Sequence, residues 1–292
     1  MFKRKQMSSE EIHKNRWIIL AIVVLLPFMA SLDSNIVNIA LPTIETELRI
    51  NMASAEWIVS IYLIIISATI LLFGRIGDMK SKTLVFINGI LVFTIGSFLC
   101  GISGNIYLLV ASRVVQAIGA ALVMSTNQGI ITAIFSAEET GKALGVTGAA
   151  VALGALIGPG LGGIIITYLT WHYIFLINVP IGVVAYILAR KYIPVEVLKT
   201  TEKIDGKGVL TFFISIVFIF SAIMIGQQIG FSDIYIVCGF IIGFFAFAVF
   251  VYIEKKAKSP MLDLSLFKNL TFTINLIGAC ISFIAINTVS II

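Results

Sequence analysis

Two ionisable residues stand where ionisable residues are costly. Asp33 sits in Leu32-Asp33-Ser34-Asn35-Ile36-Val37-Asn38-Ile39-Ala40-Leu41-Pro42, and Arg113 in Arg113-Val114-Val115-Gln116-Ala117-Ile118-Gly119-Ala120-Ala121, each within a long apolar run. A charge in hydrocarbon costs a few kcal/mol, so an acid placed there is read as functional by default, able to take up and release a proton. Each lies about 8 residues from the outer end of its run, which at the helical rise puts both roughly 12 Å below the outer surface. Asp33 and Arg113 are therefore expected to meet at one depth. The plainer readings are an interfacial carboxylate that only caps or pairs, and an arginine that holds the bundle together as a static ion pair or carbonyl cap.

Two further patterns carry physics. Gly74-Arg75-Ile76-Gly77-Asp78-Met79-Lys80-Ser81-Lys82 is a tight connection between two apolar runs that sets Asp78 among basic residues. Such a loop can act as a charge lock that breaks and re-forms as helix bundles rock, with Gly74, Gly77, Asp78 and Lys82 as the gate; alone it is also compatible with an ordinary basic loop. The run 141–168 holds Gly145, Gly154, Gly158, Pro159, Gly160, Gly162 and Gly163. Gly154, Gly158 and Gly162 recur every fourth residue and offer a smooth stripe to another helix, while Pro159 weakens the local hydrogen-bond ladder.

The elements that must position these residues are membrane helices. With 59% hydrophobic and 12% charged residues and a mean hydropathy of +1.06, the chain is far more apolar than a water-soluble domain requires. About 20 apolar residues cross a bilayer core of roughly 30 Å. Spans are expected near 17–41, 54–73, 84–103, 106–134, 141–168, 173–192, 208–229, 233–253 and 271–292. Unpaired backbone groups are not tolerated in lipid and the runs lack the alternation of barrel strands, so the fold class is all-α, a polytopic transmembrane helical bundle. The run from Trp17 to Leu41 is too long for a secretory signal and ends in no small-residue cleavage site, so it is expected to remain as the first span.

Charge orients the bundle. On this span assignment all of the 20 Lys and Arg residues except Arg49 and Arg113 fall on one side, which by the positive-inside rule makes the N-terminus cytoplasmic and the chain a multi-pass protein of the cell membrane. The net charge of +5 then reflects topology and anionic lipid, and no nucleic-acid partner is expected. Cys100, Cys238 and Cys280 fall within spans without metal or disulfide spacing and read as apolar filler. His13 and His172 lie at a tail and a span edge. Without a nucleophile-base, metal or phosphate-loop constellation, no enzyme activity, metal or cofactor is expected.

The motifs, in this order and spacing, resemble the major facilitator superfamily, and within it the fourteen-span drug:proton antiporter branch that includes quaternary-ammonium exporters. Asp33 to Pro42 is similar to the branch's first-helix motif, Gly74 to Lys82 to its loop motif, Arg113 to Ala121 to its fourth-helix motif, and Gly145 to Gly163 to its antiporter motif. Trp171 to Pro180 and Ser259 to Leu264 resemble further signatures. Met79, Ser81, Lys82 and Ala117 depart from it, where the family usually has arginine, glycine, arginine and glycine.

The resemblance implies export of small lipophilic, cationic compounds in exchange for inward protons by alternating access. Asp33 would be the protonation site, Arg113 its partner, the glycine stripe an interdomain pivot, and Asn38, Gln116 and Asn127 part of the substrate cavity. Its partners would be protons, drug-like small molecules and the bilayer. It also implies a division into an N-terminal tail (1–16), a six-helix half (17–192), a cytoplasmic linker (193–207), an extra central helix pair (208–253) and the start of a second half (254–292). On that reading the chain is truncated after about nine spans. A non-transporting fragment prone to self-association, or an exporter of an endogenous metabolite or lipid, are the alternatives.

Overall fold

The computed structural model describes residues 9–195, 204–257 and 259–289. Lys3, Arg4, Lys5, Lys199, Lys203, Lys258 and most of the expected 193–207 linker lie outside the described residues.

The described chain is helical almost throughout, with α1 Ser9–Leu48, α2 Met52–Met79, α3 Lys82–Gly101, α4 Ile106–Ile134 and α5 Ala137–Tyr168. These are followed by α6 Tyr173–Leu176, α7 Asn178–Tyr192, α8 Gly206–Ile229, α9 Ile234–Lys256 and α10 Leu270–Val289. Polar residues in the short connections set the starts of several helices by accepting backbone N–H groups that have no partner in the helix. Asn51 accepts from Ser54 at 2.8 Å, Ser81 from Leu84 at 3.3 Å, Asn105 from Leu108 at 2.9 Å and Asp233 from Tyr235 at 2.8 Å.

Among the described residues, eight helices are long and apolar enough to cross a membrane, with α6 and α7 together forming one of them. The ninth expected span coincides with α10, Leu270–Val289. Large apolar side chains such as Leu156, Phe244 and Phe245 are exposed on the outside of the bundle, which is what a hydrocarbon solvent favours.

One expectation needs correction. The first helix does not stop at Leu41: it runs to Leu48 with Pro27 and Pro42 inside it, so Asp33 lies about four turns from its end instead of two. The missing N–H of Pro42 leaves only the carbonyl of Asn38 without its helical partner, so the helix continues past it, and Arg49, in the left-handed region at φ 52°, closes it. The sixth span, α6 with α7, runs as one helix from Tyr173 to Tyr192: Pro180 has no N–H for the carbonyl of Leu176, but Ile177 keeps helical dihedrals and its N–H bonds the carbonyl of Tyr173 at 3.1 Å.

The helices pack as α3 on α4, α1 on α5 and α2 on α4, while α8 and α9 form a hairpin that lies against α2. Glycines make the closest approaches. A Cβ on Gly96 would stand 2.5 Å from the Cα of Gln116, and one on Gly119 would collide with the backbone of Phe93. This proximity of α3 and α4 brings polar side chains of the two helices into hydrogen-bond range.

Candidate functional site

The site forms where α1, α3, α4 and α7 meet. Arg113 Nη1 lies 2.6 Å from Asp33 Oδ2, and both side chains are fully buried. Arg113 Nε donates to the carbonyl of Ile58 on α2 at 3.0 Å, and its guanidinium stands over the ring of Tyr62, 4.2 Å from the centroid. The expectation that Asp33 and Arg113 share one depth is met despite the longer α1, because α4 presents Arg113 two turns from its start.

Asp33 is held on both oxygens. Oδ1 accepts from Gln116 Nε2 at 2.9 Å and from Asn178 Nδ2 at 2.9 Å. Gln116 Nε2 also donates to Ser97 Oγ at 2.9 Å, and Gln116 Oε1 accepts from Arg113 Nη1 at 2.7 Å. A buried carboxylate so surrounded by donors is tolerable where an isolated one is not. The cluster is not saturated: Arg113 Nη2, Tyr62 Oη and Asn178 Oδ1 are buried with no hydrogen-bond partner among the described residues. Such a set of donors and acceptors can exchange partners when the charge on Asp33 changes.

Asn178 and Ser97 were not expected at the site. Asn178 lies in the second turn of the sixth span, two residues before Pro180, and its amide reaches Asp33 Oδ1. The signal that could have found it is Asn178-Val179-Pro180, a buried-capable amide two residues before a proline.

The residues expected to line a substrate cavity are not gathered in one place. Gln116 is fully buried and committed to the Asp33 cluster, Asn127 is buried further along α4, and Asn38 is exposed on α1. The eleven-residue separation of Gln116 and Asn127 corresponds to roughly 16 Å along the helix.

Of the expected gate loop only Lys80 and Ser81 lie between helices, Gly74, Gly77 and Asp78 being in the last turns of α2 and Lys82 opening α3; Lys82 Nζ and Asp78 Oδ1 form an ion pair at 3.2 Å, both substantially exposed. Gly77 faces Thr126 of α4, where a Cβ would come within 2.8 Å of its methyl group, and Gly74 faces Ser125. The aliphatic stem of Lys82 runs over Gly129. The loop motif is thus seated on α4, the helix that carries Arg113.

The glycines of α5 divide between two faces. Gly154, Gly158 and Gly162 pack on α1: a Cβ would stand 2.6 Å from the carbonyl oxygen of Phe28, 2.7 Å from Asn35 Cβ and 3.4 Å from Ile36 Cα. Gly145, Gly160 and Gly163 have open space before them, and Pro159 continues α5 without ending it. The every-fourth-residue stripe therefore meets a helix of this chain. Its partner is α1, and it ends against the turn that carries Asp33.

The family model of the Major Facilitator Superfamily matches residues 23–290. The chain is 40% identical over 273 residues to the riboflavin transporter RibZ of Clostridioides difficile, covering 91% of this chain and 58% of that protein. It is 30% identical to the multidrug transporter protein MdtP of Bacillus subtilis, covering 94% and 51%. It is 29% identical to the multidrug resistance protein Stp of Mycobacterium tuberculosis, covering 89% and 48%. The chain thus spans about half the length of the curated relatives it matches. A solved peptide transporter POT in complex with sulfate has a TM-score of 0.60 at 16% identity, covering 82% of this chain and 52% of that one, a likeness of fold alone.

Proposed function

Because the chain belongs to the Major Facilitator Superfamily, a family of membrane transporters and not of enzymes, we propose that it serves proton-coupled export of small lipophilic, cationic compounds across the cell membrane by alternating access, and that it falls in the fourteen-span antiporter branch. The observation that carries this reading is the buried Asp33–Arg113 pair, bridged to α7 by Asn178 and to α3 by Gln116 and Ser97. One proton added to Asp33 removes the negative charge for which three donors are arranged, so helix contacts at the site differ between the two protonation states. That difference is what couples a proton to a conformational change. No nucleotide motif is present, and an inside-negative potential supplies about 2.3 kcal/mol per charge per 100 mV to inward proton movement.

In this reading Gly74, Gly77, Asp78 and Lys82 gate the cytoplasmic side. The α1–α5 contact at Gly154, Gly158 and Gly162 lets α5 slide on α1, and Gly145, Pro159 and Gly163 belong to the same pivot. Residues 17–192 form one transporter half and 208–253 an added helix pair, with the N-terminus in the cytoplasm.

The test uses membrane vesicles from cells expressing the protein. With Asp33→Asn, which keeps the size of the side chain but cannot cycle a proton, an imposed pH gradient is expected to drive no accumulation of ethidium-type cations that the unaltered protein concentrates. Accumulation by the Asp33→Asn protein equal to the unaltered one would place the coupling site elsewhere.

The 40% identity to a protein named a riboflavin transporter favours a second reading, in which the cargo is a flavin-like aromatic metabolite. Riboflavin movement in the same vesicles, unaffected by excess lipophilic cation, would select it.

A further inference from the structure

A second cluster of buried acids lies far along the chain from Asp33, where the α8–α9 hairpin meets the end of α2. Asp205 caps α8, its Oδ1 accepting from Lys207 N and Gly208 N, each at 3.1 Å. Glu254, near the end of α9, is only 3% exposed, and its Oε2 accepts from the backbone N–H of Leu262 at 3.2 Å. One oxygen of each carboxyl is then left over. Asp205 Oδ2 and Glu254 Oε1 are both buried, and neither has a hydrogen-bond partner among the described residues.

The two leftover oxygens face one point. A Cβ on Gly208 would stand 2.7 Å from Asp205 Oδ2 and 2.8 Å from Glu254 Oε1, so the absence of a side chain at Gly208 is what lets both oxygens in. Two ionised carboxylates converging out of water repel each other and lose solvation together. A single proton between them replaces the repulsion by an O–H···O bond and satisfies both oxygens at once.

The surroundings set the charge count. Arg75 of α2 is near enough for its positive charge to act on Glu254, as is the negative charge of Asp205. From the segment after α9 the groups that face Glu254 are the neutral backbone N–H groups of Leu262 and Met261. On α9 itself Lys255 and Lys256 are exposed, with Lys256 Nζ bonded to the hydroxyl of Tyr252, and Lys207 on α8 is exposed as well. Two carboxylates near one guanidinium, which has another interaction of its own, carry an excess of negative charge that one proton lowers, and the neighbouring cation disfavours a metal ion in the same place.

We propose that Asp205 and Glu254 form a second proton-binding site, sharing one proton taken up from water, and that this shared proton latches the 259–263 segment to the α8–α9 hairpin. The step is simple in balance: one O–H bond forms on one carboxyl, the other accepts it, and release returns the proton to water. It is separate from the transport reading, since neither residue touches the Asp33 cluster. Because the apparent titration belongs to the pair, removing either carboxyl removes it.

The test places a spin label on Ser259→Cys in the full chain in lipid vesicles, with exposed Cys238 and Cys280 replaced by serine and buried Cys100 kept. Label mobility is read across a series of buffers from acid to alkaline. The unaltered carboxyl pair should hold the label immobile at the acid end and release it at the alkaline end. Glu254→Gln, whose amide N–H replaces the proton toward Asp205 Oδ2, should hold it at both ends, and Glu254→Ala should release it at both. Asp205→Asn, which still caps α8, should lose the pH dependence without losing the helix. Mobility independent of pH with both carboxyls present, or a pH dependence surviving in Glu254→Gln, overturns the proposal. Immobility restored at alkaline pH by sodium or potassium overturns it in favour of a metal-ion site.

Discussion

Arg113 is tied to Asp33 at 2.6 Å in a place where neither side chain reaches solvent, and the same guanidinium also holds the carbonyl of Ile58 on α2. Removing one member of such a pair leaves an uncompensated buried charge, a larger loss than removing both. Arg113→Ala is expected to destabilise the protein by about 3–5 kcal/mol. Asp33→Asn/Arg113→Gln should recover much of that loss in thermal unfolding in detergent. A double variant as unstable as Arg113→Ala would show that the guanidinium acts mainly through Ile58 and Tyr62.

Asn178 supplies one of the two amide donors on Asp33 Oδ1. Asn178→Ala leaves that oxygen short of a donor in a buried place and should cost about 1–3 kcal/mol. Asn178→Asp should cost more, since it sets a second carboxylate against the first. Both are read as shifts in Tm at neutral pH, and an aspartate variant as stable as the alanine variant would place residue 178 outside the electrostatic reach of Asp33.

The pair itself was legible because charge in an apolar run is conspicuous: few causes leave Asp33 and Arg113 inside hydrocarbon-length segments. Asn178, Ser97 and Tyr62 were not, because neutral polar groups are cheap enough in a helix interior to pass as ordinary packing. The order of the first eight spans followed from apolar length. The run of α1 past Pro42 did not, since a proline late in a helix is compatible with either ending it or bending it. The glycine stripe shows the limit most clearly. Spacing of four marks a face that a helix can approach, but only packing reveals that α1 occupies it.

That occupancy has a consequence for substitution. Gly154→Leu drives a side chain into the backbone of α1 at Phe28, and overpacking of this kind costs about 1–3 kcal/mol or more. Gly160→Leu meets open space and should leave stability nearly unchanged. Equal loss of monodisperse protein in both variants would mean that the open face of α5 is also covered.

Arg49 closes α1 with a φ of 52°, a conformation that L side chains resist and glycine does not. Arg49→Gly is expected to raise stability by about 1 kcal/mol. A fall in Tm would show that the Arg49 side chain contributes more than its backbone geometry costs.

The ends of the bundle separate by charge in space as they do along the chain. Arg16 pairs with Glu139 at 2.8 Å, Lys142 lies over Trp17, and Thr83 donates to the carbonyl of Pro194. These contacts gather the starts of α1, α3 and α5 and the end of α7, with its Arg190 and Lys191, at one end of the molecule. Gln228 reaching the carbonyl of Ala53 sets the far end of α8 beside the start of α2, so the basic end of α9 returns to the first group. Arg49 and Asn51 are left at the opposite end. Basic flanks resist translocation, so the end holding Arg16 is predicted to face the cytoplasm. In intact cells, with Cys238 and Cys280 replaced by serine, a membrane-impermeant thiol reagent should label Asn51→Cys and leave Ser9→Cys unlabelled until the membrane is opened. The reverse pattern would invert the bundle, and with it the direction in which a proton on Asp33 runs down its gradient.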